Sequence, residues 1–181
     1  KALPYLDGYK AISAPKMAVR VQAIRGDRAQ IEFRGFPPKT RDDLVKALGD
    51  KITVQEGDWN CVMGASTNVN KTANGGPAFH AAAADTRVKQ ALSLAMDRWG
   101  GSKYLSKIAL VRTPGGVVFP KHPLAATKEQ LMEMPPYNPD NKARRDMAKK
   151  LLAEAGQSKL SFKLHNRAVD QPYKVVGTWM I

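Results

Sequence analysis

Residues 85 to 98 constrain the fold more than any other stretch. Asp85 is suited to cap a helix with its carboxylate. Val88, Ala91, Leu92, Ala95 and Met96 then follow at i, i+3, i+4, i+7 and i+8, one continuous apolar face at the helical period. A helix over Thr86 to Arg98 with that face must pack on another element. A second amphipathic helix is expected over Lys142 to Ala155, with Asn138 and Pro139 as cap and first-turn residue and Gly156 as its stop. Weaker helical signals follow Pro15, where Met17, Val21 and Ile24 recur, and run from Thr40 to Leu48 ahead of Gly49. Shorter ones cover Ser102 to Ile108 and Lys128 to Met132.

Between these helices lie stretches of a different period. Ala29 to Phe33 and Leu160 to Leu164 alternate apolar and polar residues, a strand signal. Tyr9 to Ile12, Ile52 to Gln55 and Cys61 to Ala65 are β-prone in the same sense. Helices and strands intermixed in this order predict an α/β fold, a mixed sheet flanked by helices. The 181 residues are enough for a single domain spanning the chain. Residues 66 to 84 and 109 to 137 read as loops, the latter rich in Pro and Gly.

Charge raises the question of an anionic partner. The 29 basic and 16 acidic residues leave a net +13, which suits nucleic acid or another polyanion. The basic residues do not form one block. Lys142, Arg144, Arg145, Lys149 and Lys150 lie largely opposite Met147, Leu151 and Leu152, and Arg87, Lys89 and Arg98 flank the stripe of the Asp85 helix. Such a pattern reads as solvated helix faces. Aromatic residues make up 7% of the chain and are scattered, so a stacking surface is not visible. A basic nucleic-acid- or polyanion-binding domain is the alternative reading, and the favoured reading expects no nucleic-acid partner.

Catalytic patterns are missing from the sequence. His80, His122 and His165 are far apart and match no short metal-binding spacing, and Cys61 is the single cysteine, inside an apolar stretch. Thr113-Pro114-Gly115-Gly116 is not followed by the Lys-Ser/Thr of a phosphate loop, and no nucleophile elbow is present. The sequence therefore predicts no enzyme, no metal and no cofactor. The first residues lack the regions of a signal peptide and the last run on without a stop signal, so the chain reads as an excerpt of a longer protein.

Four segments, in order, resemble one family. Pro4-Tyr5-Leu6-Asp7-Gly8 opens the series. Arg25-Gly26-Asp27-Arg28-Ala29-Gln30-Ile31 follows the first helix. Asp85-Thr86-Arg87-Val88-Lys89-Gln90-Ala91-Leu92-Ser93-Leu94-Ala95-Met96-Asp97-Arg98 is the most specific, and Tyr137-Asn138-Pro139-Asp140 leads into Ala148 to Gly156. Together they are similar to the family 5 solute-binding proteins of peptide/nickel-type ABC transporters. The sequence departs from that pattern over residues 69 to 84 and at Trp99-Gly100-Gly101. The resemblance implies one lobe of a type II periplasmic-binding-protein-like fold, much of the second of two lobes. It implies a periplasmic setting, a small-molecule or peptide ligand, and the ABC permease subunits and the remaining lobe as partners. On that basis Trp59, Asn60, Met63, Asn68, Arg112, Thr113 and Phe119 are the expected ligand contacts. Trp59 and Phe119 would supply apolar walls, and Asn68 and Arg112 would hold polar or anionic groups.

Overall fold

The computed structural model describes residues 5–33, 35–55, 64–67, 81–108 and 113–181. Its elements are helices: α1 (Met17–Arg25), α2 (Pro38–Leu48), α3 (Thr86–Ala95), α4 (Arg98–Ile108), α5 (Lys128–Glu133), α6 (Asn141–Glu154) and α7 (Val175–Met180). Tighter turns at Gly49–Lys51, Ala81–Ala84 and Pro135–Tyr137 join them, and a wider turn at Asp170–Lys174 leads into α7.

No strand occurs among the described residues, which overturns the expected α/β fold with its mixed sheet and, with it, the type II lobe. Alternation makes a two-faced segment, but a strand also needs a ladder partner for its backbone. The segments expected to pair find local bonds instead. After α1 the chain turns at Asp27, in the left-handed region at φ 53°, and the amides of Arg28 and Ala29 donate to the carbonyl of Ala23. The Gln30 amide donates to Asp27, and the Glu32 carboxylate takes both Arg20 and the amide of Gly35. Ile31 and Phe33 are left 83% and 89% exposed, where a buried sheet face would have covered them. Leu160 closes a turn onto Gln157, and Phe162 is exposed. Tyr9 to Ile12 and Ile52 to Gln55 run without regular structure, as do Gly64 and Ala65; Cys61 to Met63 lie outside the described residues.

The core sits between α3 and α6. Val88, Ala91 and Leu94 of α3 are buried, and Ala148 of α6 packs against Ala91 and Leu94 with Leu151 and Leu152 beside it. The buried face of α3 is thus rotated toward Leu94 and away from the expected Ala95, which is exposed. The two helices run antiparallel, and an arginine ties each end. Arg87, at the start of α3, donates to the carbonyl of Glu154 at the end of α6 (2.7 Å). Arg144, near the start of α6, donates to the carbonyls of Leu94 and Met96 at the end of α3 (both 2.6 Å) and to that of Asn138 (2.7 Å). It also bonds the Asn141 side chain and lies 3.6 Å from the Asp97 carboxylate. A cation here meets the orphan carbonyls of a helix C-terminus and the negative end of its dipole. Arg144 is 3% exposed, so it does not belong to the solvated face expected for it.

The expected helix over Thr86 to Arg98 is two helices. Met96 is extended (ψ 122°), and the Asp97 carboxylate then accepts the amide of Gly100 (3.0 Å), so that α4 starts at Arg98, three residues after α3 ends at Ala95. The side chain that caps a new helix competes with continuation of the old one. The Gly100-Gly101 pair, which looks like a break, lies inside α4. Gly101 is buried where the ring of Trp179 from α7 lies on α4, and a Cβ there would overlap that ring. The caps of α5 and α6 are both made by side chains. Thr127 and Gln130 form a reciprocal capping box. The cap of α6 is Asp140 rather than Asn138, accepting the amides of Lys142 (2.9 Å) and Ala143 (3.0 Å), while Asn138 in turn holds the Asp140 amide. Gly156 ends α6 at φ 67°, a conformation that favours glycine.

Candidate functional site

The start of α4, the Pro/Gly segment from 113 to 120 and α5 enclose a small cleft of about 150 Å³. Its position follows from a chain of bonds rooted in the core. Arg98, the first residue of α4, donates to the Ser93 carbonyl (2.7 Å) and hydroxyl (2.9 Å) at the end of α3 and to the Pro136 carbonyl (2.9 Å). Its guanidinium stacks 4.8 Å from the Tyr137 ring centroid. Burial pushes the Arg98 guanidinium below its ordinary value and the nearby Arg144 adds to this, while Tyr137 opposes it. The group remains cationic.

Tyr137 carries the anchoring onward. Its hydroxyl donates to the Gly115 carbonyl (2.8 Å), which holds the Pro/Gly segment against the helical body. Its own carbonyl accepts the indole N–H of Trp99 (2.6 Å), which fixes the plane of that ring. Trp99 forms one wall of the cleft, and Pro114, Val118 and Leu131 complete its apolar part. Lys128, at the start of α5, places its ammonium 5.8 Å from the Trp99 ring centroid. Among the described residues Lys128 is the charged residue of the lining, and no carboxylate lines the cleft. The neighbouring Glu129 has its carboxyl held below the ordinary range, chiefly by its own backbone N–H and by the Thr127 hydroxyl.

The arrangement offers an apolar seat, one fixed aromatic plane and one cation at the rim. That is the equipment of a binding site, in which few polar groups orient a ligand on apolar walls. Of the expected ligand contacts, Thr113 lines this cleft; it is exposed, and its hydroxyl reaches the Pro114 carbonyl at 3.4 Å. Phe119 is half-buried, is not part of the lining, and its carbonyl accepts the amide of His122. Trp59, Asn60, Met63, Asn68 and Arg112 lie outside the described residues. Trp99 and Lys128 were not among the expected contacts. The departure at Trp99-Gly100-Gly101 was a signal for Trp99, and no local signal pointed to Lys128.

Part of the positive charge ends in ion pairs. Lys142 and Lys150 reach Asp146 and Glu154 one turn along α6, Lys39 reaches Asp43 on α2, and Arg20 meets Glu32 at 2.7 Å. No cluster of three metal-ligating side chains occurs among the described residues. No described helix is long and apolar enough to cross a membrane. Comparison with protein-family models, curated proteins and solved structures finds nothing that matches this chain.

Proposed function

We propose that this chain belongs to a substrate-binding protein that captures a small solute outside the cytoplasm and hands it to an ABC permease. The observation that carries the reading is the anchored cleft, an apolar seat with a fixed indole and a rim ammonium. The order of the four segments supports it from the sequence side. The two most specific of them form α3 and α6, and the cleft hangs from that pair through Arg98 and Tyr137. The reading rests on these motifs and this cleft, not on the layered sheet that the resemblance implied. Function on this view is capture without chemistry, with the permease and the rest of the binding protein as partners.

Thermal melting of the protein against a panel of short peptides, amino acids and metal complexes tests it. A ligand present at a hundredfold excess over its dissociation constant stabilises the folded state by about 2.7 kcal/mol, a rise of several degrees. No rise across the panel overturns the reading.

A further inference from the structure

The cleft's size and charge narrow the ligand further than its shape alone, and we propose that it takes a small apolar monocarboxylate, one ring-sized group with a single negative charge. This rests on the capture reading above and names the ligand class for that site. The volume of about 150 Å³ is the deciding quantity. It is about the volume of an apolar cavity that holds one benzene molecule. It is well below the 300 Å³ or so at which pockets begin to enclose drug-sized ligands. A single ring or branched aliphatic group therefore fits, and a larger solute enters only by one such group. The seat for it lies between the indole of Trp99, Val118 and Leu131. The N–H of that indole donates to the Tyr137 carbonyl, which favours one plane for the ring.

Charge fixes the other half of the ligand. Among the described residues the lining holds one cation, Lys128, and no acid. Its ammonium is exposed on the water side and sits against the Trp99 face, 5.8 Å from the centroid. A carboxylate at the cleft mouth meets this ammonium while the apolar group lies against the same ring. An ammonium at that mouth would meet a like charge. Lysine acts as a point charge rather than a two-pronged fork, so one carboxylate suffices and its exact plane is not selected.

Titration calorimetry of the whole chain with benzoate, benzyl alcohol and acetate tests the proposal. The Trp99 indole N–H signal in a proton–nitrogen NMR spectrum reports on the site. Benzoate is expected to bind and to shift that signal. Benzyl alcohol, the neutral counterpart, should bind at least fivefold more weakly, and acetate should not shift the signal. Lys128→Gln should weaken benzoate at least fivefold and so remove its preference over benzyl alcohol, and Ala126→Leu, which fills the lining, should abolish binding of both. Equal binding of benzoate and benzyl alcohol, or a preference that survives Lys128→Gln, overturns the anionic class while leaving a binding cleft in place. If none of the three probes moves the Trp99 signal, the cleft is not a site for such ligands; the peptide, amino-acid and metal-complex panel then decides separately whether solute capture survives.

Discussion

The α3–α6 pair and the stretch from residue 5 to 55 start from similar sequence signals and reach different degrees of packing. Both contain amphipathic helices with glycine or aspartate at their ends. In the pair, Val88, Ala91, Leu94 and Ala148 are buried, and both ends are tied by arginines to the carbonyls of the other helix. In the N-terminal stretch α1 buries no residue, α2 buries Leu44, and Tyr9 stands 92% exposed. Its main tie is the half-buried Arg20–Glu32 pair, with Arg20 also 5.6 Å over the Phe36 ring. An apolar stripe is enough to form a helix. Locking it takes a second stripe at matching height and partners for the carbonyls that its end leaves open.

The largest expected effect comes from the polar end of that lock. Arg144→Met keeps the stem's apolar bulk and removes the guanidinium. The carbonyls of Leu94 and Met96 then lose a donor, and Asp97 loses its cation. Removing one member of a buried charged network costs about 3 kcal/mol. Urea denaturation measures it, and a cost below about 1 kcal/mol, the size of one ordinary hydrogen bond, would mean that the apolar face alone holds the pair. Next in size is Gly101→Ala, where the new methyl meets the Trp179 ring. Overpacking of this kind costs about 1–3 kcal/mol. Loss of Trp179 order, read by its fluorescence, should accompany the drop in stability. A neutral result would show that α7 does not depend on its seat against α4.

A smaller effect probes the other region. Val19 on α1 is 53% exposed, so Val19→Ala should change stability by no more than about 0.5 kcal/mol. A loss of core size at Val19 would mean that α1 meets a partner face, and the contrast between the two regions would disappear.

The helices were legible because their signals are local. Asp85 and Gly156 announce ends that the structure uses. Val88 and Ala91 of the α3 stripe are buried, and Leu151 and Leu152 pack on the core, but Met147, expected beside them, is 47% exposed and Ala148 is buried instead. Arg144 was read as a solvated face because an arginine between polar neighbours looks the same whether its head meets water or the carbonyls of a helix distant in sequence. Its partners are Leu94 and Met96, and no local pattern points to them. The strands failed for a related reason. The alternation at Ala29 to Phe33 fixes two faces but not a ladder partner, and Asp27, Gln30 and Glu32 satisfy that backbone locally. Of the seven expected contacts only Thr113 is seen in the cleft among the described residues, and Lys128 joins Trp99 there only because Tyr137 binds Gly115 and Trp99 at once.

The smallest effect distinguishes the two arginine clamps by their dependence on pH. Arg144 is buried and bonds mainly neutral carbonyls, whereas Arg87 is exposed and shares its guanidinium between Glu154 and the capping carboxylate of Asp85, 2.7 Å away. The Arg87 side chain, and then its backbone N–H, hold the Asp85 carboxyl below its ordinary value. A carboxyl whose folded value is depressed stabilises the fold fully above its unfolded value, about pH 4, and loses that contribution as pH falls through the lowered value. Asp85→Asn keeps an oxygen for the Arg87 amide, and so keeps the cap, but removes the charge. The native protein should therefore melt slightly higher than Asp85→Asn at neutral pH. The gap should stay constant down to about pH 5, narrow below about pH 4, and close once Asp85 is protonated in both states. Thermal melts from neutral pH into this acid range measure the gap directly. A gap that persists undiminished at the acid end would show that asparagine fails as a cap at this position, and that the Asp85–Arg87 charge pair contributes nothing to the outer clamp.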